Sequence, residues 1–182
     1  VNGSHIISTN SNGMIAVGTN DQEVTHDDMI RLEEVATNGK VPLNRQVLEV
    51  VPHDYQLDGQ DNIKDPLGMS GTRLEIYANI ISGLTPHIVN IRKAAELAKV
   101  ESRHIVPSVL ASSQAVLTES QMENGVALID IGGATTNIAI YDEGDLRYTA
   151  VLPYGGVNIT NDLAIGLKTD PEVAEQVKIK HA

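Results

Sequence analysis

The hydrophobic positions of the first 83 residues follow two periods. From Leu74 to Ile81 apolar and polar residues alternate, which predicts a strand with one buried face. Between Thr25 and Gly39 the apolar residues recur every three or four positions, which predicts a helix that Thr25 caps and Gly39 ends. A further strand is expected from Val47 to Leu57, with a bend or an edge position at Pro52.

Turn signals separate these elements. The strand-like segments Ile6–Thr9 and Met14–Val17 flank Asn10–Gly13, which predicts a β-hairpin. Residues 58–71 contain three Asp and three Gly and are expected to form a turn-rich connection. Residues 1–83 are therefore expected to form a small α+β unit in which one helix covers one face of a sheet.

From Leu84 onward the pattern changes. Thr85 as a cap and Pro86 at the first position predict a helix, and its apolar stripe comprises Ile88, Ile91, Ala95 and Ala98. The most apolar segment, Val126–Ile131, is apolar on both faces, as is typical of an internal strand. The other expected elements are helices near residues 108–118, 157–167 and 171–180 and strands at 136–141 and 146–152.

Composition narrows the classes of function. Among the 182 residues, 13 are basic and 24 acidic, and the net charge of −11 argues against a nucleic-acid partner and against an anionic lipid surface. The chain has no Cys, which excludes disulfides and thiolate metal sites and favours the cytoplasm. No apolar run approaches the roughly 20 residues that cross a bilayer. Because the chain starts at Val1 without a methionine, we expect a segment of a longer protein.

The clearest candidate for chemistry is the run from Asp130 to Asn137, Asp-Ile-Gly-Gly-Ala-Thr-Thr-Asn, where an apolar strand ends in an acid and a glycine turn leads into the next strand. Glycines allow peptide N–H groups to face one concavity and bind an anion, and the two threonines add hydroxyl donors. An acid at a strand end beside a phosphate can hold Mg²⁺ through water. The alternative is an ordinary tight hairpin.

This turn resembles the second phosphate loop of the actin-like ATPase superfamily. Three further segments resemble the FtsA family of bacterial cell-division proteins more closely, namely Asp61–Gly71 with Leu74-Glu75 after it, Ile105–Leu117 and Gly155–Leu167. The resemblance runs in one order over nearly all of the chain. It implies a mixed α/β and α+β architecture, a partial actin-like (ribonuclease-H-like) fold that carries a small inserted α+β subdomain.

The resemblance also implies an organisation. Residues 1–83 correspond to the inserted subdomain called 1C, residues 84–124 to the returning helices of subdomain 1A, and residues 125–182 to the start of subdomains 2A and 2B. The first phosphate hairpin and the C-terminal membrane helix of the family then lie outside these residues.

The function implied by the resemblance is that of a division scaffold. In the full-length context such a protein binds ATP and Mg²⁺, self-associates into filaments, and binds FtsZ and other division proteins. It is cytoplasmic and peripheral to the inner face of the cell membrane at the division site, where it links the FtsZ ring to the membrane. A scaffold for pilus assembly like PilM, and a phosphotransferase such as a sugar kinase, are the alternatives.

Ten residues are the implied nucleotide ligands: Asp130, Gly132, Gly133, Ala134, Thr135, Thr136, Gly155, Gly156, Glu175 and Lys178. Asp130 would also hold the metal, and no catalytic residue is assigned. For Glu175 and Lys178 the alternative is an ordinary exposed pair one helical turn apart. Gly155-Gly156 could equally begin a helix without approaching a ligand.

Two residues depart from the usual family sequence of this loop, Asp-Ile-Gly-Gly-Gly-Thr-Thr-Asp. Ala134 replaces the third glycine, and a positive φ there would add strain of roughly 1–2 kcal/mol. Asn137 replaces the final acid and removes a negative charge near the metal. We therefore expect weak hydrolysis at most. Since one of two phosphate hairpins is present, we expect weak or absent ATP binding by these 182 residues alone.

Overall fold

The computed structural model describes residues 1–18 and 22–181. Its elements in chain order are β1 (Ile6–Ala16), α1 (His26–Thr37), β2 (Arg45–Leu57), β3 (Gln60–Ile63), β4 (Arg73–Leu84), α2 (Thr85–Leu97), α3 (Ser108–Val116), α4 (Glu119–Glu123), β5 (Val126–Ile131), β6 (Thr136–Asp142), β7 (Asp145–Leu152), α5 (Gly156–Leu167) and α6 (Pro171–His181). They form two antiparallel sheets, ordered β1-β4-β2-β3 and β5-β6-β7.

The first sheet is built around β4, which confirms the predicted strand. The alternating residues Leu74, Ile76 and Ala78 are fully buried, and they belong to one core with Leu32 and Ala36 of α1. Alternation therefore marks the face that α1 covers. The connection expected over residues 58–71 contains a short strand, β3, which pairs with the end of β2.

The predicted hairpin at the start of the chain is wrong, because β1 is one continuous strand. Residues 10–13 pair with β4 in unbroken register. The small residues there allow α1 to approach the sheet: the Ser11 hydroxyl donates to the Ala36 carbonyl at 2.6 Å, and a Cβ on Gly13 would lie 2.8 Å from the Ala36 nitrogen. Close helix packing, and not a turn, explains these residues.

The predicted cap of α1 and the predicted bend in β2 are confirmed. Thr25 and Asp28 form a capping box in which each side chain bonds the other residue's backbone N–H. The register of β2 against β4 shifts between Pro52 and Asp54, a bulge at the proline.

Two predictions for the second half are wrong in part. Of the apolar stripe on α2, only Ile88 is buried, because the rest of the helix extends beyond the sheet that its first turn contacts. Thr85 is the first helical residue and Leu84 the cap, without a side-chain capping bond.

The strand β5 is not internal within the described residues. It pairs with β6 alone, and Ile129 and Ile131 are 58% and 68% exposed, because no element packs over that face. The predicted strands β6 and β7 and the predicted helices α3, α5 and α6 are present, whereas the short helix α4 was not predicted. In the described part of the chain, none of the helices is both long and apolar enough to cross a membrane.

A second core joins the two sheets. Ile6 and Ile81 of the first sheet pack with Val109 of α3 and Leu146 of β7. The buried amide of Asn79 donates to the Leu146 carbonyl at 2.6 Å. The β6–β7 hairpin is therefore held against the first sheet, and β6 begins directly after the glycine loop.

Candidate functional site

The loop between β5 and β6 is attached to the first turn of α5. The N–H of Gly156 donates to the Gly132 carbonyl at 2.9 Å, and the N–H of Val157 donates to the Gly133 carbonyl at 2.8 Å. The loop carbonyls thus satisfy the first N–H groups of α5, which have no partner within a helix.

This attachment decides where the loop's own N–H groups point. The peptide units Gly132-Gly133 and Gly133-Ala134 are trans, so each N–H points opposite to its carbonyl and away from α5. The N–H groups of Gly133 and Ala134 find no acceptor within residues 1–18 and 22–181. The turn therefore offers two adjacent donors of the kind that bind anions.

Position 155 must be a glycine because the backbone of the glycine loop passes close to its Cα. Its φ of −163° is extended, so conformational freedom is not the reason for glycine. A Cβ there would lie 2.5 Å from the Gly132 oxygen and 2.8 Å from the Ala134 nitrogen. The condition under which Ala134 would be strained is not met, since Ala134 is not among the residues with a positive φ.

A cleft of about 840 Å³ opens between the loop, α5 and α6. Of the ten predicted ligands, Gly133, Ala134, Gly156, Glu175 and Lys178 line it. Gly132 and Gly155 lie behind the loop, where their backbones pack together. Asp130, Thr135 and Thr136 do not line the cleft.

Glu175 and Lys178 are part of a network and not merely an exposed pair. Their charged groups are 2.6 Å apart, and the Lys178 ammonium also donates to the Thr160 hydroxyl at 2.8 Å and to the Gly156 carbonyl at 3.1 Å. The Thr160 hydroxyl donates to Glu175. Hydrogen bonds from Lys178 and then Thr160 hold the pKa of Glu175 below its ordinary value. Thr160 was not predicted from the sequence.

The remaining predicted residues lie at the base of the loop. Asp130 accepts a hydrogen bond from the Asn137 amide at 3.2 Å, and Asn137 is buried. The Thr136 hydroxyl donates to the Tyr154 carbonyl at 2.8 Å, and Thr135 accepts one from Asn2 at 3.1 Å. Across the described residues, no three His, Cys, Asp or Glu side chains converge into a cluster that could hold a metal ion.

Comparison with known families gives two matches to family models. The model described as "SHS2 domain inserted in FTSA" matches residues 3–82, and the model described as "Cell division protein FtsA" matches residues 127–182.

Curated relatives from several bacteria are named cell division protein FtsA. The cell division protein FtsA of Pseudomonas aeruginosa is 41% identical over 180 residues, which is 99% of this chain and 43% of that protein. That of Neisseria meningitidis is 42% identical over 98% of this chain and 43% of that protein, and that of Bacillus subtilis is 40% identical over 98% and 40%. The chain thus spans about two fifths of the length of these relatives.

Among solved structures, the PilM-PilN type IV pilus biogenesis complex contains a similar chain. The TM-score is 0.62 at 14% sequence identity, over 96% of this chain and 47% of that chain. At this identity the likeness concerns the fold alone. Together with the match to the domain inserted in FtsA, it confirms the predicted fold class, a partial actin-like fold with an inserted α+β subdomain.

Proposed function

Because the chain belongs to the FtsA family of bacterial cell-division proteins, we propose that it is part of a division scaffold that binds a nucleotide in the cleft between the glycine loop and α6. One observation carries this proposal: Gly133 and Ala134, whose N–H groups find no acceptor among residues 1–18 and 22–181, line a cleft of about 840 Å³. A cleft of that size suits a cofactor-sized ligand.

The residues fit a nucleoside phosphate. The two loop N–H groups would bind phosphate oxygens, since backbone donors in a glycine turn favour anions. Glu175 and Lys178, at the other wall, would approach the nucleoside. The cleft of this chain supplies one set of phosphate donors. This chain therefore binds ATP more weakly than the full-length protein does.

Asp130 is the residue we assign to Mg²⁺, held through water. Magnesium keeps most of its waters and takes one or two carboxylates besides the phosphates, so a lone carboxylate suits it. The ion would offset the negative charge of the phosphates. Asn137 lies against one carboxylate oxygen of Asp130 and adds no charge, which favours nucleotide binding over efficient hydrolysis.

We further propose the organisation and the assembly role implied by the family. Residues 1–83 are the inserted subdomain 1C, residues 84–124 the returning part of 1A, and residues 125–182 the start of 2A and 2B. In the longer protein, 1C is a self-association or partner surface, FtsZ and other division proteins are partners, and the location is the inner face of the membrane at the division site. In support, α1, β1 and β4 share a core of their own, while the cleft residues come from the loop, α5 and α6.

Titration of the full-length protein with MgATP tests the nucleotide proposal. We expect Asp130→Ala and Lys178→Met to weaken binding about tenfold or more, because the first removes the carboxylate assigned to Mg²⁺ and the second removes a charged group from the cleft wall. Lys180→Met, an exposed change on the same helix, is the matched control and should leave affinity unchanged. Unaltered MgATP affinity in both site variants would place the nucleotide elsewhere.

A measurement of ATP turnover distinguishes the scaffold from a phosphotransferase. Turnover of a small-molecule acceptor by the full-length protein, with ATP consumed in proportion, would favour that class. Assembly that requires bound ATP but not its turnover is the result expected for the division scaffold.

A further inference from the structure

The hydroxyl of Thr160 lies where α5, α6 and the cleft meet. Thr160 is 5% exposed, and its oxygen is 3.1 Å from the Gly156 carbonyl and 2.8 Å from the Lys178 ammonium, and also contacts Oε2 of Glu175. A hydroxyl has one proton to donate and two lone pairs that accept. Its proton can therefore go to Gly156 or to Glu175, but not to both.

The Lys178 ammonium determines which of these two acceptors receives the Thr160 proton. An ammonium has three donors, and three acceptors surround it: the Gly156 carbonyl, the Thr160 hydroxyl and Oε2 of Glu175. The Gly156 carbonyl is thus satisfied by the lysine, which leaves the Thr160 proton for Glu175. A donor to a carboxylate forms the stronger, charge-assisted bond.

This closed network determines what the pair presents to a ligand. Every donor of Lys178 is used within the protein, so in this arrangement the lysine is not a phosphate ligand. Oε2 of Glu175 accepts from both Thr160 and Lys178, whereas Oε1 has no hydrogen bond within the described part of the chain. The pair therefore offers an acceptor and not a cation.

We propose that Thr160 is a positioning residue of the cleft, which fixes Glu175 and Lys178 so that the pair accepts a hydrogen bond from a bound ligand. This inference rests on the proposed nucleotide function for the identity of the ligand. The contacts of the Thr160 hydroxyl link α5 and α6 across the cleft wall. The depressed pKa of Glu175, caused first by Lys178 and then by Thr160, is consistent with the assigned proton.

Titration of the Glu175 carboxyl by NMR, with no nucleotide present, tests the positioning role in the 182-residue chain. Thr160→Val keeps the shape and removes the hydroxyl, so the titration midpoint should rise toward the ordinary glutamate range. Thr160→Ser retains the hydroxyl and should keep the midpoint of the parent chain. Thr149→Val, the same change at a buried threonine on β7, is the control and should not move it.

The MgATP affinity of the full-length protein gives the second measurement. Thr160→Val should raise the dissociation constant about tenfold, and Thr160→Ser should restore it to within about twofold. An unchanged Glu175 midpoint in Thr160→Val would overturn the inference. A shifted midpoint with MgATP affinity unaltered in Thr160→Val, Asp130→Ala and Lys178→Met would support the positioning role and contradict the nucleotide function.

Discussion

At the scale of single residues, the contact between Gly155 and the glycine loop leaves no room for a side chain. In Gly155→Ala the new Cβ meets three backbone atoms within 2.8 Å, which cannot move aside as a flexible side chain would. We expect a loss of about 1–3 kcal/mol in the free energy of unfolding, since overpacking forces the backbone to shift. Urea denaturation of the 182-residue chain measures this.

Gly133→Ala is the matched control for that experiment. It adds the same methyl group in the same loop, but no atom lies within 4 Å and φ is not positive. Its free energy of unfolding should stay within about 0.5 kcal/mol of the parent chain. Equal losses in the two variants would mean that the loop does not pack on α5 as described.

Asp28 makes the free energy of unfolding of the 182-residue chain depend on pH. Asp28 is 1% exposed, and its carboxylate accepts hydrogen bonds from Thr25, Gly18 and Arg31. The Thr25 hydroxyl is the main cause that lowers the Asp28 pKa below its ordinary value of 3.8. Because the folded pKa is depressed, the stabilisation is complete above the ordinary value and is lost as pH falls through the folded pKa.

Asp28→Asn should therefore lower the free energy of unfolding by about 1–3 kcal/mol at pH 7. The NH₂ of the new amide would face N–H and O–H groups whose hydrogen bonds the carboxylate now accepts. The difference from the parent chain should shrink in acid, and urea denaturation between pH 7 and pH 3 would reveal the trend. Asp27→Asn, exposed in the same helical turn, should cost less than about 0.5 kcal/mol. A difference that does not vary with pH would contradict the depressed pKa.

Residue patterns predicted the site only where it is local in sequence. The run from Asp130 to Asn137 carries its glycines, acid and threonines within eight positions, so its turn could be predicted. Thr160 contacts residues 15 and 18 positions away on another helix, and nothing in its own neighbourhood signals this. Likewise, the need for glycine at Gly155 arises from a distant backbone.

At the scale of elements, β1 shows that one residue type can have two causes. Gly13 and Ser11 suggested a turn, but small residues also occur where a helix crosses a strand closely. The alternation in β4 was decisive from Arg73 to Ala78, where α1 covers the buried face. The apolar stripe on α2 and the two apolar faces of β5 predicted that both elements are buried. Most of the α2 stripe and one face of β5 are not buried, because no described element packs over them.

Gly13→Ala tests the packing of β1 against α1. The added Cβ would lie 2.8 Å from the Ala36 nitrogen and 3.0 Å from its Cα, both backbone atoms of a fully buried residue. We expect a loss of about 1–3 kcal/mol in the free energy of unfolding. Asn12→Ala, exposed on the same strand, should change it by less than about 0.5 kcal/mol. A neutral Gly13→Ala would favour the hairpin that the sequence first indicated.

At the scale of the whole molecule, the two sheets are packed too closely for a simple deletion to isolate the role of residues 1–83. Ile6 and Ile81 belong to the core that also contains Leu146, and Asn79 holds the β6–β7 hairpin. Deleting the first sheet would uncover this hairpin and disturb the loop from which β6 begins. The assembly role is better tested by surface changes that leave both cores intact.

Ile30 and Val35 on α1 are suitable positions, because they are 57% and 45% exposed on the part we propose as the assembly surface. Exposed apolar side chains contribute to association and little to folding. In the full-length protein, Ile30→Glu with Val35→Glu should weaken self-association about tenfold, measured by analytical ultracentrifugation. MgATP affinity should not change, since neither residue lines the cleft. Asn12→Glu adds charge at an exposed polar position of the first sheet and should leave association unaltered. Full association in the double variant, together with weakened MgATP binding, would mean that the first sheet serves the nucleotide site and not assembly.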